Sequence, residues 1–259
     1  MILSAHIADL SVGKAISALR SRPDPEAING LRYAQTWLMS PLRSGMLPST
    51  DVTGVALIAA WDDDKCLDRF LYHPFAKVYE RGWNARFEPV RTIGAWPTLP
   101  DLPRQEQPTD DEPVAVLTMA RVRMNRFGAF AKAAGGAERD ALHHPAYLEG
   151  TSLIRPPNLV ATFSLWRNAR EMRHYVVNSY PGGHAQAMKK HQEKVFHHET
   201  VFVRLRPYSV SGQWKGRNPL ATVEPDTGST PHQGVRAGHA IGTGPRHGEP
   251  GDDGNGFEE

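Results

Sequence analysis

Four of the chain's twelve histidines fall within one run of twenty residues, YPGGHAQAMKKHQEKVFHHE, from Tyr180 to Glu199. Gly182 and Gly183 permit the tight turn that can start a helix. From His184 onward the spacing predicts a helix with His184, Met188, His191 and Val195 on one face. Lys189, Lys190, Gln192 and Lys194 fall mostly on the other sides, so the histidine stripe faces the interior or a pocket. A neutral imidazole held there by a rigid element can ligate a metal or a haem iron. It can equally be a hydrogen-bonded core residue, and the spacing alone does not choose. His197 and His198 are adjacent, point in different directions at a strand entrance, and read as surface or capping residues. His143 and His144, in LHHP, read as a loop.

The other groups capable of chemistry are sparse. WDDD at Trp61–Asp64 resembles a pair of catalytic carboxylates, but its position before a helical pattern makes it an N-cap with an acidic first turn, which suits the helix dipole. A single cysteine, Cys66, excludes an internal disulfide and any multi-cysteine metal or iron–sulfur site. The chain has no phosphate-cradling glycine loop between strand and helix, no nucleophile elbow and no HExxH, so kinase, dinucleotide-binding, hydrolase and zincin readings have no motif.

The elements that must position these groups recur. Gly54–Trp96 and Asn158–Trp214 each contain an apolar strand ending in Trp, a polar break, an amphipathic helix, a second helical piece near a His, another strand and a closing Gly-x-Trp. The repeat matches Trp61 to Trp166, Trp96 to Trp214 and, approximately, His73 to His184. MILSAHIADL and EPVAVLTMARVR open the two halves as strands. Helical candidates follow at Ala15–Arg20 and Asn125–Ala134, then second strands in INGLRYAQTWLM and PAYLEGTSLI. Each half is therefore βαββαβ, the ferredoxin-like order. The expected class is α+β, two ferredoxin-like repeats packed sheet against sheet as a single-chain dimeric α/β barrel. The repeats are expected at 1–96 and 114–220, joined by a proline- and carboxylate-rich linker at 97–113.

From Ala221 onward the composition changes. That segment has nine glycines, four prolines and one aromatic, and it reads as a disordered tail, 221–259. It holds two arginines against seven carboxylates, which leaves 28 basic and 21 acidic residues in the body. The basic residues are not in runs, so an ordinary solvated surface is expected and nucleic-acid binding is not indicated. No apolar run approaches the roughly 20 residues of a transmembrane helix. The N-terminus lacks the basic start and long apolar stretch of a secretion signal, so the cytoplasm is the expected compartment.

VAVLTMARVR, LVATFSLWRNAREMRHYV, GGHAQAMKKHQEKVFHHETVFVRLR and GQWKGRNPL resemble the spheroidene monooxygenase family of carotenoid-oxidising enzymes, over about residues 1–220 and most strongly from Val160 to Leu220. The resemblance implies a haem-associated oxidoreductase of monooxygenase type. His184, at the head of its helix, matches the family's histidine and becomes the expected axial ligand. His191 is the second choice, and Met188 shares the face. Haem propionates want cationic partners. Arg121 and Arg123, alternating with Val122, would put two guanidinium groups on one side of a strand, although both could instead be exposed residues paired with carboxylates. Trp166, with Phe163 and Tyr175, could line the cavity or simply pack a core. The expected partners are a small hydrophobic or metabolite-sized substrate and an electron donor, with homo-oligomerisation left open. A non-catalytic haem or small-molecule binding barrel, or a cofactor-free barrel enzyme, fits the same fold.

Overall fold

A computed structural model describes residues 1–20, 23–42, 52–103, 109–178 and 197–221. They lie in one compact unit, Met1–Glu224. The elements run β1 (Ile2–Asp9), α1 (Val12–Arg20), β2 (Leu31–Pro41), β3 (Gly54–Trp61), α2 (Asp64–Leu71), a 3-10 turn (Pro74–Tyr79) and β4 (Trp83–Ala95). The second series is β5 (Val114–Val122), a 3-10 turn (Met124–Arg126), α3 (Phe127–Leu142), β6 (Tyr147–Arg155), β7 (Leu159–Trp166), α4 (Ala169–Asn178) and β8 (His197–Ser211). The strands close into an antiparallel barrel in the order β1-β3-β2-β6-β7-β5-β8-β4. No helix among the described residues is long and apolar enough to cross a membrane.

Register carries the repeat through the whole barrel. Trp61 ends β3 opposite Ile2 of β1 and Leu31 of β2, and the β2 ladder slips between Leu31 and Tyr33. Trp166 ends β7 opposite Val114 of β5 and Tyr147 of β6, and the β6 ladder slips between Tyr147 and Glu149. The two tryptophans are counterparts, down to the adjoining bulge. Leu3 pairs with Phe87 and its counterpart Ala115 with Leu205, so Phe87 matches Leu205 and, nine residues further along each segment, Trp96 matches Trp214.

The repeats join at two seams, β2 against β6 and β4 against β8. Leu38 pairs with Ile154 across the first and Glu88 with Arg206 across the second. Under the same matching each of these residues faces its own counterpart, so a pseudo-twofold axis passes through both seams.

Strand alternation divides the apolar residues into two layers. Leu3, Trp37, Met39, Trp83, Phe87, Leu117, Phe163, Val203 and Trp214 fill the barrel interior. On the outer face of the first repeat, Val55, Leu57, Ala59 and Trp61 are buried with Ala15, Leu67, Phe70 and Tyr79 from the overlying elements. Asp63 caps α2 as expected, accepting from the Cys66 N–H at 2.9 Å. The helical piece near His73 is a 3-10 turn with Pro74 at its start and the His73 ring as its cap.

Candidate functional site

The two outer faces are built on matching rungs but carry different chemistry. Three rungs cross the first sheet: Ala34, Ala59, Ser4 and Arg86; Thr36, Leu57, His6 and Asn84; and Leu38, Val55 and Ala8. Their counterparts on the second are Gly150, Ser164, Val116 and Arg204; Ser152, Thr162, Thr118 and Phe202; and Ile154, Val160, Ala120 and Thr200.

In the first repeat the sheet is packed beneath the helices, and a cavity of about 500 Å³ opens beside it, lined among others by Lys14, Ser17, Thr36, Phe75, Lys77 and Tyr79. Val55, Leu57 and Ala59 are fully buried, and a polar chain satisfies itself beneath the helices. The Trp61 Nε1–H donates to Ser4 Oγ at 2.9 Å, and Ser4 Oγ lies 2.8 Å from His6 Nε2. His6 Nδ1 lies 2.7 Å from Asn84 Oδ1, while the Asn84 amide donates to the Tyr79 and Gly82 carbonyls. Those two carbonyls orient the amide, so Nδ1 carries the imidazole proton and Nε2 accepts from the Ser4 hydroxyl. Burial pushes the His6 pKa down to about 4, against a raising effect of the Asn84 hydrogen bond, with the Arg86 charge lowering it further. Each group from Trp61 through Ser4 and His6 to Asn84 is paired within this chain of hydrogen bonds.

Among the described residues the second repeat differs at the same rungs. Thr118 and Phe202 stand where His6 and Asn84 stand, and Ser164, Thr162 and Val160 are half-buried where Ala59, Leu57 and Val55 are sealed. Arg204 is half-buried at one end of the face. Burial lowers its pKa, and the Arg173 and Arg91 charges lower it further, so the local field favours an anion.

Trp166 borders this face at 2% exposure, its Nε1–H donating to Ser164 Oγ at 3.0 Å and its ring 4.8 Å from that of Tyr175. His144 and Tyr147 meet it edge-on at 5.4 and 5.7 Å. Burial raises the Tyr147 and Tyr175 pKa values, so both phenols stay neutral. The Tyr175 hydroxyl donates to the Ala137 carbonyl at 2.9 Å, and Ser152 Oγ donates to the buried Glu138 carboxylate at 2.8 Å, tying α3 and α4 to the sheet.

The sequence comparisons point to one family. The chain is 31% identical over 182 residues to the spheroidene monooxygenase of Rubrivivax gelatinosus, a match that covers 67% of each. The chain belongs to the spheroidene monooxygenase family. It is also 26% identical over 190 residues to the spheroidene monooxygenase of Rhodobacter capsulatus, covering 69% of this chain and 76% of that one. The Cereibacter sphaeroides enzyme of the same name is 24% identical over 207 residues, and there the match spans 62% of the relative's length and 74% of this chain. No protein-family model matches the chain. Solved structures of an anthrone oxidase-like protein (14% identity, TM-score 0.32, covering 81% of this chain and 91% of that one) and of a monooxygenase-like protein from Listeria innocua (10%, 0.30, 81% and 96%) are more distant. Likeness at that level carries no argument about what this family member does.

The expected site residues divide. His184, Met188 and His191 lie outside the described residues. Arg121 lies on β5, which ends at Val122, and Arg123 follows with extended backbone as the N-cap residue of the 3-10 turn Met124–Arg126. Arg121 is held by Glu199, with Nε to Oε2 at 2.9 Å. The Arg123 Nε is buried with no partner among the described residues. Phe163 and Trp166 do not share a cavity wall: three positions apart on a strand, they face the barrel interior and the outer layer respectively.

Three residues that the sequence reading did not bring together, His144, Glu171 and His174, form the one group among the described residues that could hold a metal ion. The available signal was the Glu-x-x-His spacing on α4. The third member lies 27 residues before Glu171, in the loop after α3.

Proposed function

We propose that the chain is a haem-dependent, monooxygenase-type enzyme acting on a hydrophobic or small metabolite substrate, with the outer face of the second repeat as its site. The observation that carries this reading is the difference between the repeats. Among the described residues, the outer face of the second repeat is half-buried at Val160, Thr162 and Ser164 and presents hydroxyls, aliphatic groups and Arg204 where the first repeat carries the self-paired His6 chain. The names of the relatives supply the reaction class.

The described residues fit a haem in part of its needs. Val160 and Phe202 offer half-buried apolar surface and Arg204 suits the carboxylates of a porphyrin, whereas Trp166 is packed in the layer at 2% exposure. His184 would hold the iron, with His191 as second choice. When bound, the haem supplies the redox-active iron at which dioxygen is used. A monooxygenase places one oxygen atom in the substrate and reduces the other to water, so two electrons must come from an external donor. The chain's own residues have simpler tasks: Thr118, Thr162 and Ser164 present hydroxyls for orientation, Phe202 excludes water, and Arg204 holds an anionic group at one end of the face.

Haem titration of the full chain, followed at the Soret band, tests the assignment. Wild type should bind one equivalent, and His184→Ala should abolish or strongly shift the band, with partial recovery on adding imidazole. A wild-type spectrum in His184→Ala would remove His184 from the site, and the absence of any band in wild type would remove the haem. A band without turnover in the presence of reductant and oxygen would leave a haem-binding barrel that is not an enzyme.

A further inference from the structure

We propose that His144, Glu171 and His174 form a binding site for a divalent transition-metal ion, distinct from the haem site and independent of it. The three side chains bring one ligand atom each to within 4.8 Å of one another. Two imidazoles and one carboxylate make a donor set suited to Zn²⁺ and its first-row neighbours, with the remaining coordination positions left to water.

The elements place these ligands for separate reasons. Glu171 and His174 are three residues apart on α4, so they project from the same side of the helix one above the other. His144 comes from the loop joining α3 to β6, where the Ala146 N–H reaches Nδ1 at 3.3 Å and the Trp166 and Tyr175 rings pack against the imidazole at 5.4 and 6.0 Å. These contacts leave Nε2 turned toward Glu171 Oε2, 3.8 Å away. That is too long for a direct hydrogen bond. The two neighbouring arginines on α4 do not compete for the carboxylate. Arg170 is paired with Asp111 at 2.7 Å and Arg173 with Asp110.

An ion at about 2.0–2.1 Å from each donor would draw the ligand atoms to roughly 3.3 Å from one another. The needed movement falls on Glu171 and His174, which are half-buried and exposed, and the packed His144 can stay in place. Coordination through Nε2 moves the imidazole proton to Nδ1 and gives up the long Ala146 contact, which at 3.3 Å contributes little. The exposed edge of the cluster provides the entry path.

Equilibrium dialysis of the full chain against Zn²⁺, read as zinc retained per chain, tests the site without reference to activity or haem. Wild type should retain one equivalent more than His174→Ala and than Glu171→Gln, with affinity at this site weakened on the order of 100-fold in each. Both changes lie at exposed or half-buried positions and should leave the thermal unfolding midpoint close to wild type. His143→Ala, a neighbouring histidine whose Nδ1 is engaged with the Arg139 carbonyl at 2.7 Å, should retain the wild-type amount. Equal zinc retention in wild type, His174→Ala and Glu171→Gln would overturn the proposal, as would a loss in His143→Ala as large as in the other two.

Discussion

Replacing His6 by Asn tests whether the first repeat is sealed by a neutral imidazole. The folded-state pKa of about 4 lies well below the ordinary 6.5, because the buried ring loses hydration when charged. Above pH 6.5 neither the folded nor the unfolded chain protonates this residue, and the stability it supports is fully present. As pH falls below 6.5 the unfolded state takes up a proton that the folded state refuses until about pH 4. Stability is lost across that window, by roughly 3 kcal/mol in total. His6→Asn removes the titrating group, the Ser4 contact and the ring packing against Phe70 and Tyr79. It should therefore cost about 2–3 kcal/mol at pH 7. Urea unfolding of both proteins at pH 7, 6, 5 and 4 cancels the carboxylates they share. The wild-type advantage should shrink steadily below pH 6.5 and be gone or reversed near pH 4. Parallel stability curves over that range would show that His6 is not held neutral.

Two further changes probe how the repeat frame is held. A Cβ on Gly82 would lie 1.8 Å from the Ile7 carbonyl oxygen where β4 meets β1, so Gly82→Ala should cost about 2 kcal/mol or more in chemical unfolding, and a neutral result would refute the close approach. Asp63→Ala removes the side chain that caps α2 and should cost about 1 kcal/mol, whereas Asp63→Asn should recover most of that; equal losses would mean that the carboxylate acts by some route other than accepting from the Cys66 N–H.

Much of the frame was legible because the repeat is written in residues that local rules can read. Strands ending at Trp61 and Trp166, apolar alternation before them and the Gly-x-Trp closures recur in order. Once two βαββαβ units are recognised, the barrel follows from burying their inner faces together. Side-chain direction was less accessible. Phe163 looks like a neighbour of Trp166 until strand parity separates them. The His6 chain was out of reach, because Asn84 lies 78 residues from His6 and nothing local to either records their meeting. His144 reads as an ordinary loop residue for the same reason, since Glu171 and His174 reach it only after β6 and β7 bring α3 and α4 side by side. The family resemblance rests on short motifs concentrated in the second half.

Under the proposed function the outer face of the second repeat, and not the cavity beside the first, receives the haem. Haem titration of wild type beside Thr162→Trp measures this. Thr162 is half-buried at the middle rung, its counterpart Leu57 shows that the frame carries a larger side chain there, and an indole would fill the layer between β5, β7 and the helices. The account predicts one haem per wild-type chain and at least tenfold weaker binding in Thr162→Trp with the barrel still folded, while His6→Asn at pH 7 titrates like wild type. Undiminished haem binding in Thr162→Trp, or loss of binding in folded His6→Asn, would contradict it.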